Sequence, residues 1–174
     1  MTENPLGQVT AYTDRYAPEL LFPIPRQASR ESLGIADDLP FHGVDRWNAW
    51  EVSWLNPQGK PEVAVGLIEF PATNPNLVES KSLKLYLNSL NGMRYASSDA
   101  VKALIRRDLE AASGGPVTVH LYPADEPSLI PLAPLTGRCI DAAEVSMEDY
   151  TVNPGVLDSA FDADQIVEEA LYSH

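Results

Sequence analysis

A glutamate, two serines and two lysines crowd one short stretch of this sequence, Asn76-Leu77-Val78-Glu79-Ser80-Lys81-Ser82-Leu83-Lys84-Leu85-Tyr86. The stretch lies where a loop gives way to an apolar helical repeat. A helix start offers unpaired N–H groups and the positive end of the helix dipole, a setting that holds anions. Lys81 and Lys84 add charge there, and Ser80 and Ser82 add hydroxyls. Glu79 is the odd member of such a set. Its carboxylate can accept two parallel hydrogen bonds from a planar donor pair, such as the N1–H and 2-amino group of a guanine-like ring. A purely structural account competes: Ser80 or Ser82 caps the helix, Glu79 favours the dipole, and both lysines are solvated. Spacing alone leaves both accounts open.

Other reactive residue types are sparse. The single cysteine, Cys139, excludes an intramolecular disulfide and a multi-cysteine zinc site. It stands in a short β-like run close to Arg138 and Asp141. A thiolate nucleophile needs a positive, partly exposed setting, whereas a free cysteine more often packs as a small hydrophobe. The second role is expected for Cys139. His42, His120 and His174 lack ligand spacing, so no metal site is expected.

The elements that must carry these residues follow from periodicity. Residues 1–45 are punctuated by Pro18, Pro23, Pro25, Pro40 and Gly43, yet hold Tyr16, Leu20, Leu21, Phe22, Ile24, Leu33, Ile35, Leu39 and Phe41. That is too much apolar surface for a solvated linker, and an ordered arm packed on the core is expected. Trp50, Val52 and Trp54 alternate with Glu51 and Ser53, and Val63, Val65 and Leu67 alternate with Ala64, Gly66 and Ile68. The turn Asn56-Pro57-Gln58-Gly59 between them predicts an antiparallel hairpin, with Pro61 near a strand start where a missing N–H is tolerable.

Leu83, Tyr86, Leu87 and Leu90 then fall on one helical face, stopped by Asn91-Gly92. A second helix has Ser97, Ser98 and Asp99 as candidate caps, a stripe of Val101, Leu104, Ile105 and Leu109, and Gly114-Gly115-Pro116 as its stop. A strand around Val117–Tyr122 and a shorter run from Arg138 to Val145 complete the core. The expectation is an α+β fold: a four-stranded antiparallel sheet with two helices on one face, over residues 46–150. Residues 151–174 read as an acidic connector followed by a strand-like run from Gln165 that has no hairpin partner.

Among 174 residues, 12 basic and 25 acidic side chains give a formal charge of -13, which argues against a general nucleic-acid binder. No run approaches the roughly 18 apolar residues of a membrane helix. Met1-Thr2-Glu3-Asn4-Pro5 has neither a basic patch nor an apolar run, so no leader is expected and the cytoplasm is the expected location.

The segment Glu79-Ser80-Lys81-Ser82-Leu83-Lys84-Leu85-Tyr86 resembles the signature of the NADPH-dependent 7-cyano-7-deazaguanine reductases, nitrile reductases of queuosine tRNA-modification biosynthesis. Further resemblance to the N-terminal half of the two-module type runs through Leu21-Phe22-Pro23-Ile24-Pro25-Arg26, Ser53-Trp54-Leu55-Asn56, Val63-Ala64-Val65-Gly66, Arg107-Asp108-Leu109, Gly137-Arg138-Cys139-Ile140-Asp141 and Val167-Glu168-Glu169-Ala170-Leu171. The resemblance implies a tunnelling-fold module. It also implies that Val78, Glu79 and Ser80 contact the deazapurine, with Glu79 as anchor, and that Ser80 and Lys81 contact NADPH. Ser82 and Lys84 are secondary candidates.

That family reduces a nitrile to a primary amine with two NADPH, through a cysteine that adds to the nitrile carbon and an aspartate that delivers protons. Its Ser-x-Cys-Pro-x-Thr-Gly-Gln-Pro-Asp stretch is not found in this sequence, nor is a Phe-His pair followed by glutamate. No catalytic residue is therefore assigned here. The expected partners are the base, a C-terminal module carrying the nucleophile, and further copies of the chain, whose sheet edges invite pairing. The alternative is a non-catalytic purine-binding or assembly module of the same fold.

Overall fold

The computed structural model describes residues 13, 15–35, 38–126, 144, 146, 148 and 150–156. The chain divides into two compact units, Met1–Pro131 (with His174) and Leu132–Ser173. In the second, the described residues include a short 3-10 turn at Pro154–Val156.

The first unit opens with a 3-10 turn at Pro18–Leu20, strand β1 (Pro23–Pro25) and the short helix α1 (Gln27–Ser32). Strands β2 (Val44–Leu55) and β3 (Pro61–Pro71) form the expected hairpin. Its turn is closed by Asn56, whose side-chain oxygen accepts the N–H groups of Gln58 and Lys60 at 3.0 Å each. Pro61 opens β3, as the missing donor requires. Strand β4 (Asn76–Val78), helices α2 (Ser80–Asn88) and α3 (Ser98–Ser113), and strand β5 (Thr118–Pro123) follow.

The main sheet has the order β2-β3-β5, antiparallel throughout. The architecture is α+β, and the described sheet has three strands where four were expected. The fourth, over Arg138–Val145, falls outside the described residues apart from Glu144. A separate two-stranded ribbon was not anticipated: β1 pairs with β4, Ile24 opposite Leu77. Two prolines in a three-residue strand hide any alternation, and only an edge position tolerates them.

One correction concerns β2. Trp50 does not share a face with Val52 and Trp54. Ala49 pairs with Gly66 and Val52 with Ala64, so Trp50 and Glu51 both stand opposite Val65 in a β-bulge. The extra residue inverts the alternation. Trp47 and Ala49 face the core before the bulge and Val52 and Trp54 after it, while Trp50 is left 51% exposed.

The core lies between this face and the helices. Val52, Trp54, Ile68, Phe70 and Val119 of the sheet meet Leu83, Tyr86 and Leu87 of α2, Leu90 just beyond it, and Val101, Ile105 and Leu109 of α3. Each such side chain, fully buried, stabilises the fold by about 1.5–3 kcal/mol. α3 is capped by Ser97, whose hydroxyl accepts the Ala100 N–H. It ends on Gly114 at φ 74°, a left-handed conformation that favours glycine. α2 stops at Asn88, short of Asn91-Gly92. Among the described residues no helix is long and apolar enough to cross a membrane.

Candidate functional site

Glu79 sits at the junction of β4 and α2. It leaves the strand in extended conformation (φ -67°, ψ 135°) and is itself the N-cap of α2. Its carboxylate accepts the Lys81 N–H at 2.9 Å through Oε1 and the Ser82 N–H at 2.7 Å through Oε2. The Ser80 hydroxyl donates to Oε1 at a longer 3.3 Å. The purely structural account has Ser80 or Ser82 as the cap; the glutamate takes that place because its longer side chain folds back over the first turn. A cap of this kind is worth about 1 kcal/mol, reinforced by the positive dipole end. A carboxylate has about four acceptor positions, so one position on Oε2 is left after these three bonds.

The other nominated residues surround this junction unequally. Val78 is 1% exposed with its side chain in the core, so only its main chain is left for a ligand. Ser80 is exposed on the first turn and Lys81 is half-buried beside it; Lys84 is exposed one turn on. Ser82 is fully buried. Its hydroxyl donates to the Glu79 carbonyl at 2.6 Å and accepts the Phe22 N–H at 3.0 Å, and the Glu79 N–H donates to the Phe22 carbonyl at 2.9 Å. The segment before β1 is thereby fixed against the start of α2.

A second polar group went unread in the sequence. Asp108 is 7% exposed on the apolar side of α3. Its Oδ2 accepts the hydroxyls of Tyr16 and Tyr86, both at 2.7 Å, and its Oδ1 accepts Arg107 Nε at 3.0 Å and Nη2 at 2.8 Å. Arg107 Nη2 also donates to the Tyr16 hydroxyl at 2.8 Å. Burial, then the neighbouring carboxylate, pushes Tyr16 up to about 12 and Tyr86 higher still. Arg107 is raised in turn by Asp108. The signal was available: Asp108 falls between Ile105 and Leu109 on the buried stripe, and a carboxylate there must have partners.

A cavity of about 350 Å³ opens among α1, the start of β2 and the β3–β4 turn. Arg26, Arg30, Phe41 and Leu77 line it and Glu79 does not; Arg26 pairs with Asp45, and Arg30 donates to the Ala72 carbonyl at 2.5 Å. His42 is exposed in the arm and His120 stacks on Tyr122 at 6.1 Å. No group of three metal-ligating side chains converges among the described residues. Cys139 and His174 lie outside those residues.

A family model described as "Nitrile reductase, 7-cyano-7-deazaguanine-reductase N-term" matches residues 12–121. A protein of Azoarcus sp. is 51% identical over 172 residues, covering 98% of this chain and 60% of its own length. One of Hydrogenovibrio crunogenus is 51% identical over 170 residues, covering 97% and 60%, and one of Ralstonia nicotianae is 47% identical over 173 residues, covering 98% and 62%. All three carry the name NADPH-dependent 7-cyano-7-deazaguanine reductase. The chain spans about 60% of the length of these relatives.

Proposed function

The chain belongs to the nitrile reductase, 7-cyano-7-deazaguanine-reductase N-terminal family, and on that premise we propose that it is the substrate- and cofactor-anchoring part of an enzyme reducing 7-cyano-7-deazaguanine to 7-aminomethyl-7-deazaguanine. The overall change adds two hydrides and two protons across the C≡N bond and consumes two NADPH. The observation that carries this reading is the buried Glu79 carboxylate held at a strand-to-helix junction within the motif of the family.

Glu79 anchors the base through N1–H and the 2-amino group. The position left on Oε2 takes one ring donor. The other displaces the Ser80 hydroxyl, whose 3.3 Å contact is the longest of the three on this carboxylate. Ser80 is thereby released toward the ligand, while the Lys81 and Ser82 amides keep the carboxylate in place. Val78 contributes through its main chain.

The exposed Ser80 hydroxyl and the adjacent Lys81 ammonium form a donor set that fits the polar and phosphate groups of NADPH. When bound, NADPH supplies hydride. The nucleophilic cysteine and proton-donating aspartate of the reaction lie in a C-terminal portion, which we propose as the partner of this module.

The tunnelling fold, with arm 1–45, module 46–150 and connector 151–174, is part of the same proposal, as are a cytoplasmic location and self-association. The last is supported by β2 and β5 forming the two open edges of the described sheet. Calorimetric titration of the full-length protein with the base tests the central role. Glu79→Ala should lose roughly 2–5 kcal/mol of binding, since ring donors would be left unpaired in a desolvated site. Affinity within threefold of wild type would remove Glu79 as the anchor.

A further inference from the structure

Two fully buried serines, Ser82 near the start of α2 and Ser89 at its C-cap, make the same pair of hydrogen bonds. Each hydroxyl donates to the carbonyl one turn back at 2.6 Å: Ser82 to Glu79, Ser89 to Tyr86. Each also accepts an N–H from the N-terminal segment, Ser82 from Phe22 at 3.0 Å and Ser89 from Ala17 at 3.2 Å. A buried amide without an acceptor is costly, so these hydroxyls decide where the segment can lie on α2.

The two positions differ in what they hold. Ser89 is tied to Tyr86, in the core. Ser82 is tied to Glu79, whose own N–H returns to the Phe22 carbonyl at 2.9 Å. Phe22 N–H, Ser82 hydroxyl, Glu79 carbonyl, Glu79 N–H and Phe22 carbonyl therefore close a ring that fixes Glu79 on both sides of its Cα. The direction of the Glu79 side chain follows from that backbone.

We infer that Ser82 is a positioning residue that couples the N-terminal segment at Phe22 to the Glu79 carboxylate, so that this segment forms part of the base site without a side chain touching the base. This rests on the proposed reading of Glu79 as base anchor. It also removes Ser82 from the ligand contacts: the residue is fully buried, with its hydrogen committed to the Glu79 carbonyl and its oxygen to the Phe22 N–H.

Ser89→Ala is the control, because it deletes the same bonds from the same helix away from Glu79. The full-length protein is titrated with 7-deazaguanine, which keeps the ring donors and has no nitrile to react. Ser82→Ala should weaken binding on the order of 10- to 100-fold, the scale of an anchor misplaced by about 1 Å. Ser89→Ala should lower the melting temperature comparably and leave affinity within about threefold. On a Glu79→Gln background, Ser82→Ala should add less than about threefold, because residues acting through one group are not additive.

Equal affinity losses from the two serine variants, no loss from Ser82→Ala, or full additivity with Glu79→Gln would overturn the inference alone. Should Ser82→Ala fail to fold, hydrogen exchange on the wild type decides. The Phe22 and Glu79 amides should gain protection when the base binds, and unchanged protection overturns the coupling. Failure of the wild type to bind 7-deazaguanine would instead remove the reading of Glu79, and this inference with it.

Discussion

Replacing Asp108 by alanine tests whether its hydrogen-bond group fastens the N-terminal segment to the helices. The Tyr86 hydroxyl is fully buried and has Asp108 as its acceptor at 2.7 Å, so alanine strands it at a cost of about 1–3 kcal/mol. Tyr16 is half-buried and keeps its contact with Arg107, so its loss is nearer 1 kcal/mol. The ion pair itself adds little, because the Arg107 side chain is 66% exposed and well screened. Together these give a loss of roughly 3 kcal/mol. Asp108→Asn keeps one oxygen for both tyrosines and should lose about 1 kcal/mol, the difference between charged and neutral acceptors.

Urea midpoints at constant slope give both numbers. The decisive variant is Asp108→Ala with Tyr86→Phe. Removing the stranded hydroxyl should recover about 1 kcal/mol or more relative to Asp108→Ala alone. A double variant less stable than the single one, or equal losses for alanine and asparagine, would refute the account.

Two further outcomes follow from the same geometry. Tyr16, raised from its ordinary 10.0 to about 12, holds its proton more tightly folded than unfolded. Its contribution to stability is therefore fully present below pH 10 and lost as pH rises through about 12. Tyr16→Phe should flatten the fall in unfolding midpoint over that window, and an unchanged slope would count against the shift. Gly115→Ala would place a Cβ 2.3 Å from the Asn74 oxygen. Asn74 is buried and held by the Pro116 carbonyl at 2.9 Å and by Ser113 at 3.2 Å, so it cannot withdraw. A loss of about 1–3 kcal/mol in the same urea assay is expected.

The elements were legible where one local signal dominated. Asn56 and Gly59 marked the hairpin turn, Ser97 and Gly114 bracketed α3, and the stripe from Leu83 to Leu90 marked α2. Legibility failed where a contact distant in sequence set the outcome. The bulge at Trp50 depends on pairing across β3, and alternation within β2 alone cannot reveal it. The β1–β4 ribbon joins residues far apart, one strand being two-thirds proline. Asp108 was visible as a carboxylate on an apolar face, but its partner Tyr16 lies in another segment. The motif around Glu79 stood out by composition, whereas spacing could not tell which side chain caps α2.

That last ambiguity bears on how the site could work. Capping and base binding looked like rival explanations of Glu79, yet the geometry makes them compatible. Two backbone amides hold the carboxylate from the helix side and leave acceptor capacity on the other. A free glutamate loses up to about 1.5–2 kcal/mol of rotamer entropy when fixed by a ligand. For Glu79 most of that loss occurs in folding, when the cap forms, so less of it is left to oppose binding. A carboxylate, with an acceptor on each oxygen, is the group that can accept from both ring donors. A glutamine here could still cap, but it offers a single acceptor oxygen and turns an N–H₂ donor toward either the helix amides or the ring. On the proposed reading, the demand for a carboxylate comes from the helix and the base together, at the point where the strand delivers the cap.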